Sequence, residues 1–395
     1  MVGGGYDAAE MGGVGAEIAA GVHGLGLERV AADWPRLTVA ELSPILAAHE
    51  GVGAVQAIAW HSPRPFAASA LVTCASATVF VKRHHPRVRG PLDLAEEHAF
   101  LAYLRGAGAA VPTVLSALTG QTAVATKAGV YEVHALAPGE DWYRDAVSWS
   151  PFTDRAHARA AGRALASLHE AAAGYMAPPR ATGLLVADFR IFGAPDPIAA
   201  VARRVAGEPL LARALEGLKW KADFARLLLP WHALLAPHLC ALTPLWAHND
   251  LHASNLLWRD DGGVACILDF GLANVTSAVF DLATTIERNA VEWLRLGDGT
   301  TNIAHADLAG ALIAGYCETR KLPPGQAAAL PFVLPLVHAE FALSELAYFH
   351  GVLGCADRAD LAYHDFLLGH ARWFTTLCGQ EFLLRVGEIA RAHNR

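Results

Sequence analysis

Between residues 54 and 84 the chain alternates short apolar bursts with polar breaks: AVQAIAW (54–60), ASALVTC (68–74) and TVFVKRH (78–84). Each burst is rich in β-branched or small apolar residues, and SPRP (62–65) is a turn former, so the set predicts a β-meander. Upstream, TVAE sets Thr38 and Glu41 in capping-box spacing, which predicts a helix running from Thr38 to the glycines Gly51 and Gly53. Downstream, LAEEHAFLAYLRGAG (94–108) has helical spacing and stops at Gly106 and Gly108. Val111 and Pro112 break it, and two further strands are predicted near TAVATK (122–127) and VYEVHAL (130–136). Beyond PGED (138–141) helical patterns dominate, beginning with DRAHARAAGRALASLHEAAAG (154–174). The exception in this half is a hairpin: SNLLW, a tight RDDGG turn, then VACILDF.

A strand-rich lobe followed by a helical lobe carrying one hairpin is an α+β layout. Three regions are expected: a glycine-rich, partly flexible segment over 1–37, a first lobe over 38–137 and a second lobe over 138–395. No internal repeat is visible. The 395 residues suffice for a two-lobed protein with a substantial core. With 53% hydrophobic and 17% charged residues, extensive disorder is excluded. A formal charge of −7 argues against a general nucleic-acid binder and is compatible with a cationic or amine-bearing ligand. The six cysteines form no C-x-x-C pair and read as reduced thiols. The start, MVGGGYDAAEMGGVG, lacks the features of a secretory signal. The most apolar stretch, LPFVLPLVHAEFALSELAYF (330–349), is interrupted by prolines, His338, Glu340 and Glu345. A cytoplasmic location without a membrane partner is expected.

LWAHNDLHASNLLW (245–258) concentrates polar side chains between apolar ones. His248, Asp250 and His252 are one reading, as metal ligands; Asp250 and Asn255 are another, as a catalytic loop. The hairpin that follows ends in ILDFG (267–271), returning Asp269 beside that loop. A carboxylate at the end of an apolar strand is costly unless it meets a cation or hydrogen-bond donors. H-x-D-x-x-x-x-N with a returning Asp suits phosphoryl transfer: one carboxylate takes the proton of an attacking hydroxyl, while an amide oxygen and a second carboxylate hold Mg²⁺. The zinc reading needs a further ligand and leaves Asn255 and Asp269 unexplained.

HNDLHASNLLW, ILDFG and FDLA together resemble the aminoglycoside phosphotransferase and choline kinase group, small-molecule kinases with a protein-kinase-like fold. LASLH (165–169) resembles the end of the helix that precedes the group's catalytic region, and the likeness covers roughly residues 50–350. It implies a small N-lobe of antiparallel sheet plus helix and a larger, mostly helical C-lobe. It implies Asp250 as the base, His248 as an orienting side chain, Asn255 and Asp269 as Mg²⁺ ligands, and Asp281 as a structural cap. His252 stands where protein kinases usually carry a lysine. Lys82 is the expected phosphate-gripping lysine, with Glu97 as its helix partner and Glu96 as the neighbouring alternative. No G-x-G-x-x-G precedes Lys82; the matching turn, WHSPRPFAAS (60–69), offers the Ser62 or Ser69 hydroxyl and backbone amides instead. ATP is the expected donor, with GTP left open.

Only nine residues, LANVTSAVF, separate Gly271 from Asp281, and no A-P-E follows, which argues against a protein substrate. The expected acceptor is a hydroxyl of a small amino alcohol, aminoglycoside or sugar-like molecule. Glu287, Glu340 and Glu345, embedded in apolar helices, are candidates for a substrate ammonium, or for structural pairs with Arg288. FDLATTIERN resembles the homoserine kinases of the group, so an amino-acid alcohol is an alternative acceptor. The rival from another class is a nucleotide-binding pseudokinase module, favoured by the glycine-free turn. Oligomeric state is not set by these patterns.

Overall fold

The computed structural model describes residues 20–21, 29–30, 33–63 and 66–393. The expected flexible segment over 1–37 lies mostly outside the described residues, as do Arg64 and Pro65 of the glycine-free turn.

The first lobe is a five-stranded antiparallel sheet. Its order is Val55–His61, Ala68–Cys74, Thr78–His84, Val130–Ala135, Ala123–Ala125. Alternation gives the two central strands two distinct faces. Val79, Val81, Tyr131 and Val133 face a core shared with Leu42, Ile45 and Leu46 of the Val39–Leu46 helix. Thr38 caps that helix, accepting from Glu41 N at 3.2 Å. The second half of the expected capping box is not formed, because the Glu41 carboxylate turns to Arg83 and Tyr131. On the opposite face Lys82 pairs across the ladder with both Ser69 and Glu132. The Pro91–Gly106 helix contributes Leu94 to a small apolar cluster with Val130 and Ala123 on this face. It begins three residues before the expected start, since Pro91 opens it and Asp93 accepts from Gly90 N at 2.7 Å.

In the second lobe the Arg155–Ala172 helix, capped by Asp154, packs along the Ala306–Thr319 helix. Gly162 and Gly315 make this closeness possible, for a Cβ on either would run into a backbone carbonyl of the other helix. The expected hairpin pairs Leu256–Trp258 with Val264–Ile267. A second ladder, Pro244–Ala247 with Asn274–Ser277, flanks the polar loop and was not anticipated. Pro324–Leu353 is, by length and composition, apolar enough to cross a membrane. However, 89% of its most apolar window is buried inside the protein, where it serves as core.

Candidate active site

The loop 248–255 is held from beneath by one helix, Ala278–Asn289. At its first turn the fully buried Asp281 carboxylate accepts from His248 N (2.9 Å), Asn249 N (2.8 Å) and His169 Nε2 (2.9 Å). His169, from LASLH, is fixed in turn by the Tyr316 hydroxyl at 2.9 Å. At the other end of the helix Asn289 donates to Leu251 O and accepts from Ala253 N, both at 2.9 Å. Sequence reading missed Asn289, whose amide follows Glu287 and Arg288 at the end of the helix and stands out little beside them.

Bends at both edges of the site fall on residues that tolerate left-handed backbone. Asn249 has φ 62° and Asp269 φ 59°. The Asn249 side chain is fully engaged, donating to Ala247 O and Asn274 O and accepting from Thr276 Oγ1 at 2.6 Å.

His248 Nδ1 accepts from Asp250 N at 3.1 Å, so its proton sits on Nε2, which donates to Leu268 O at 2.8 Å. Burial pushes this imidazole below its ordinary pKa, in keeping with a neutral ring. Both nitrogens are thereby committed to ordering the loop, and neither is available for a zinc ion. His252 meets Ser254 Oγ through Nδ1 at 3.0 Å, with Nε2 3.9 Å from Asp250 Oδ1. Asp250 itself forms an ion pair with Arg288, whose guanidinium lies 4.6 Å over the Trp149 ring.

Asn255 and Asp269 come together through the hairpin: Leu268 N donates to Asn255 O at 2.7 Å. Asn255 Nδ2 donates to Asp250 O at 3.0 Å, while Asn255 Oδ1 carries no hydrogen bond among the described residues. An amide oxygen and a half-exposed carboxylate are hard donors of the kind that suits Mg²⁺. Across the junction of the lobes Lys82 Nζ lies 2.8 Å from Asp269 Oδ1. Burial opposes the ammonium, but Asp269, Glu132 and Glu97 outweigh it and raise the Lys82 pKa above its ordinary value.

Glu97 is near Lys82, yet its hydrogen-bonded ion pair is with Arg180 Nη1 at 3.3 Å rather than with the lysine, which corrects the expected pairing. The reason is Arg180, a buried guanidinium from a distant loop that also donates to Gly271 O (3.0 Å) and Asp93 O (2.9 Å). Buried Arg89 reaches the same Gly271 O at 3.1 Å and also holds Leu184 O and Leu185 O. Sequence reading missed both arginines, which fasten the DFG segment to the first lobe's helix. Glu96 accepts from Ala181 N at 3.3 Å. At the glycine-free turn Ser62 N donates to Ser69 O at 2.9 Å, and Ser69 stands directly across the ladder from Lys82.

The three candidate substrate glutamates separate. Glu287 pairs with His370 Nδ1 at 3.0 Å, and burial lifts it to about 7. Glu340 accepts from Ile191 N (2.8 Å) and Phe192 N (3.3 Å) and is lifted by burial to about 8. These two carboxylates are therefore engaged with internal partners. Glu345 differs. Fully buried, neither of its oxygens has a hydrogen-bond partner, and burial raises its pKa well above the carboxylate range, opposed by Arg288. Burial lowers Arg288 to about 9, opposed by Glu345, so it is cationic at neutral pH. Asp250 and Arg288 thus form a charged pair, with Trp149 and Phe341 against the guanidinium.

Solved structures share this architecture. The microcompartment-associated aminopropanol kinase aligns over 87% of this chain and 100% of its own, with a TM-score of 0.52 and 18% identity. The amicoumacin kinase, in complex with AMP-PNP, Ca²⁺ and Ami, aligns over 82% and 93%, with a TM-score of 0.51 and 15% identity. The fold is a protein-kinase-like, two-lobed α+β fold. The sequence profile of the phosphotransferase enzyme family (APH) matches residues 66–330, and the chain belongs to this family. Over 198 residues it is 32% identical to the homoserine kinase of Caulobacter sp. (strain K31), covering 49% of this chain and 52% of that one. The chain spans about half the length of the curated relatives it matches.

Proposed function

We propose that the chain transfers the γ-phosphoryl group of ATP to the hydroxyl of a small amino-acid alcohol of the homoserine type. The observation that carries this is the Lys82–Asp269 contact across the lobe junction, beside the loop in which Asn255 Nδ2 donates to Asp250 O and Asn255 O accepts from Leu268 N. Asp250 takes the proton of the acceptor hydroxyl as its oxygen bonds to the γ-phosphorus, and the bond to the β–γ bridging oxygen breaks, releasing ADP. His248, Asp281 and Asn289 hold the loop so that this carboxylate is placed before substrate arrives. Asn255 and Asp269 would hold Mg²⁺, which when bound neutralises phosphate charge. The Lys82 ammonium serves the phosphates from the first lobe. ATP is favoured as donor by the amicoumacin kinase of the same fold, solved with AMP-PNP, and no observation favours GTP.

The acceptor class rests on the homoserine kinase relatives and on Arg288 and Glu345. Arg288 offers a guanidinium for a substrate carboxylate, and Glu345 offers an unpartnered carboxyl for a substrate ammonium. Arg288 is paired with Asp250, whereas Lys82 meets Asp269.

An ADP-release assay with Mg²⁺ and ATP tests the reading across L-homoserine, simple amino alcohols, aminoglycosides and sugars. The highest kcat/KM is expected with L-homoserine or an amino-acid alcohol close to it. Turnover confined to aminoglycosides or sugars would overturn the acceptor class. ATP binding with no ADP formed from any acceptor would favour a nucleotide-binding module.

A further inference from the structure

The face of the first lobe's sheet that lies under the Pro91–Gly106 helix would ordinarily be apolar, since helix and sheet both cover it. In this chain the strands place Lys82, His84, Glu132 and His134 on that face, and the helix brings His98 down onto it. Three imidazoles converge on one carboxylate. Glu132 Oε2 accepts from His98 Nε2 at 2.7 Å and from His134 Nε2 at 2.9 Å, while Oε1 meets His84 Nε2 at 2.9 Å. Glu132, His98 and His134 are 1%, 4% and 8% exposed. The far nitrogens, Nδ1 of His98 and of His134, have no hydrogen-bond partner.

We propose that His98, Glu132 and His134 form a binding site for a divalent transition metal of the Zn²⁺ type. One ligand atom from each of the three residues lies within 4.8 Å of the other two. Two imidazoles with one carboxylate are the donor types zinc takes, in tetrahedral sites that leave a fourth position open. Ligand atoms of such a site sit about 3.3 Å apart, as Zn–N and Zn–O distances near 2.0–2.1 Å require. The two imidazole nitrogens, 2.7 and 2.9 Å from Glu132 Oε2, need only a small outward shift from that oxygen. On binding, each ring carries its proton on Nδ1 and turns the Nε2 lone pair to the ion. His84, on the other carboxylate oxygen, fixes the plane of Glu132, the kind of support that metal-ligating carboxylates receive.

A second group, Glu287 with His338 and His370, is less suited. His338 Nε2 is spent on Leu367 O at 3.0 Å, and the His370 ring is stacked 3.7 Å from Trp293. The proposed site lies in the first lobe, on residues other than Asp250, Arg288 and Glu345, and its occupancy is readable without any phosphotransfer.

The test is a titration of the chelator-stripped full chain with Co²⁺ alone, followed by Zn²⁺. Saturation at one Co²⁺ per chain with the visible absorption of tetrahedral Co²⁺, displacement by Zn²⁺ and a higher Tm with Zn²⁺ are expected. In His98→Gln and His134→Gln affinity should fall at least 10-fold. Zinc-edge anomalous scattering from wild-type crystals grown with Zn²⁺ should place the ion between His98, Glu132 and His134, which settles the site even where a variant fails to fold. Absence of saturable Co²⁺ binding by the wild-type chain, unchanged binding in folded variants, or an anomalous peak elsewhere would overturn the proposal.

Discussion

Lys82 Nζ and Asp269 Oδ1, 187 residues apart in sequence, stand 2.8 Å from each other where the two lobes meet. The pair joins the third burst of the meander to the DFG turn, so the lysine proposed to serve the phosphates is positioned by the same carboxylate proposed to hold the metal. Lys82→Met should lower kcat/KM for ATP by about 10- to 100-fold, the effect of losing a hydrogen bond to a charged group worth about 1.5–3 kcal/mol. Lys82→Arg should not restore it, because a planar guanidinium does not replace a compact ammonium. Initial rates over a range of ATP concentrations check both; an unchanged kcat/KM in Lys82→Met would remove the lysine from the site.

Asn289 ties down the middle of the loop 248–255 through Leu251 O and Ala253 N. Asn289→Ala strands a buried carbonyl and a buried N–H, at about 1–3 kcal/mol of stability. The expected signature is a lower denaturation midpoint with a reduced kcat, while KM for ATP stays close to wild type. A variant with normal kcat would show that the loop holds its shape without this amide.

Burial favours the protonated form of Glu345, against the opposing pull of Arg288. Binding of an amine-bearing acceptor should therefore release a proton. Calorimetry in buffers of different ionisation enthalpy should detect that release in the wild type and not in Glu345→Gln, whose acceptor KM should rise at least 10-fold with KM for ATP unaffected. Equal proton release in both would move the ammonium site elsewhere.

Glu340 makes stability depend on pH in a definite direction. Its folded pKa is raised to about 8 from the ordinary 4.5 by burial, with Asp188 adding to the effect. Below 4.5 folded and unfolded chains both hold the proton. Between 4.5 and 8 the unfolded chain loses it first, so this group's contribution falls as pH rises and then levels off. Glu340→Gln keeps an oxygen for Ile191 N and Phe192 N but has nothing to ionise. Its Tm should gain on the wild type steadily across that window; a constant difference would mean that Glu340 titrates normally.

The meander, the hairpin and the Asp250–Asn255–Asp269 spacing were legible because each is local: β-branched runs, a Gly-containing turn, a fixed count of residues. The ladder of Pro244–Ala247 with Asn274–Ser277 was not, since four residues with Asn and Thr among them carry no alternation strong enough to read. Long-range partners were hidden for a different reason. The family resemblance picked out Glu97 on its helix, but nothing in its neighbourhood announced Arg180, which arrives from a loop 83 residues later. Glu287 and Glu340 looked alike in sequence to Glu345, and only the positions of His370 and of the Ile191 and Phe192 amides distinguish them.

The central claim is that Asp250 receives the acceptor's proton. Steady-state ADP formation by Asp250→Asn with the preferred acceptor tests it most directly, beside a nucleotide-binding titration of the same variant. Turnover should fall by roughly 10²–10⁴, the contribution of general base catalysis, with ATP affinity close to wild type. Turnover near the wild-type value in a variant that still binds ATP would contradict the account.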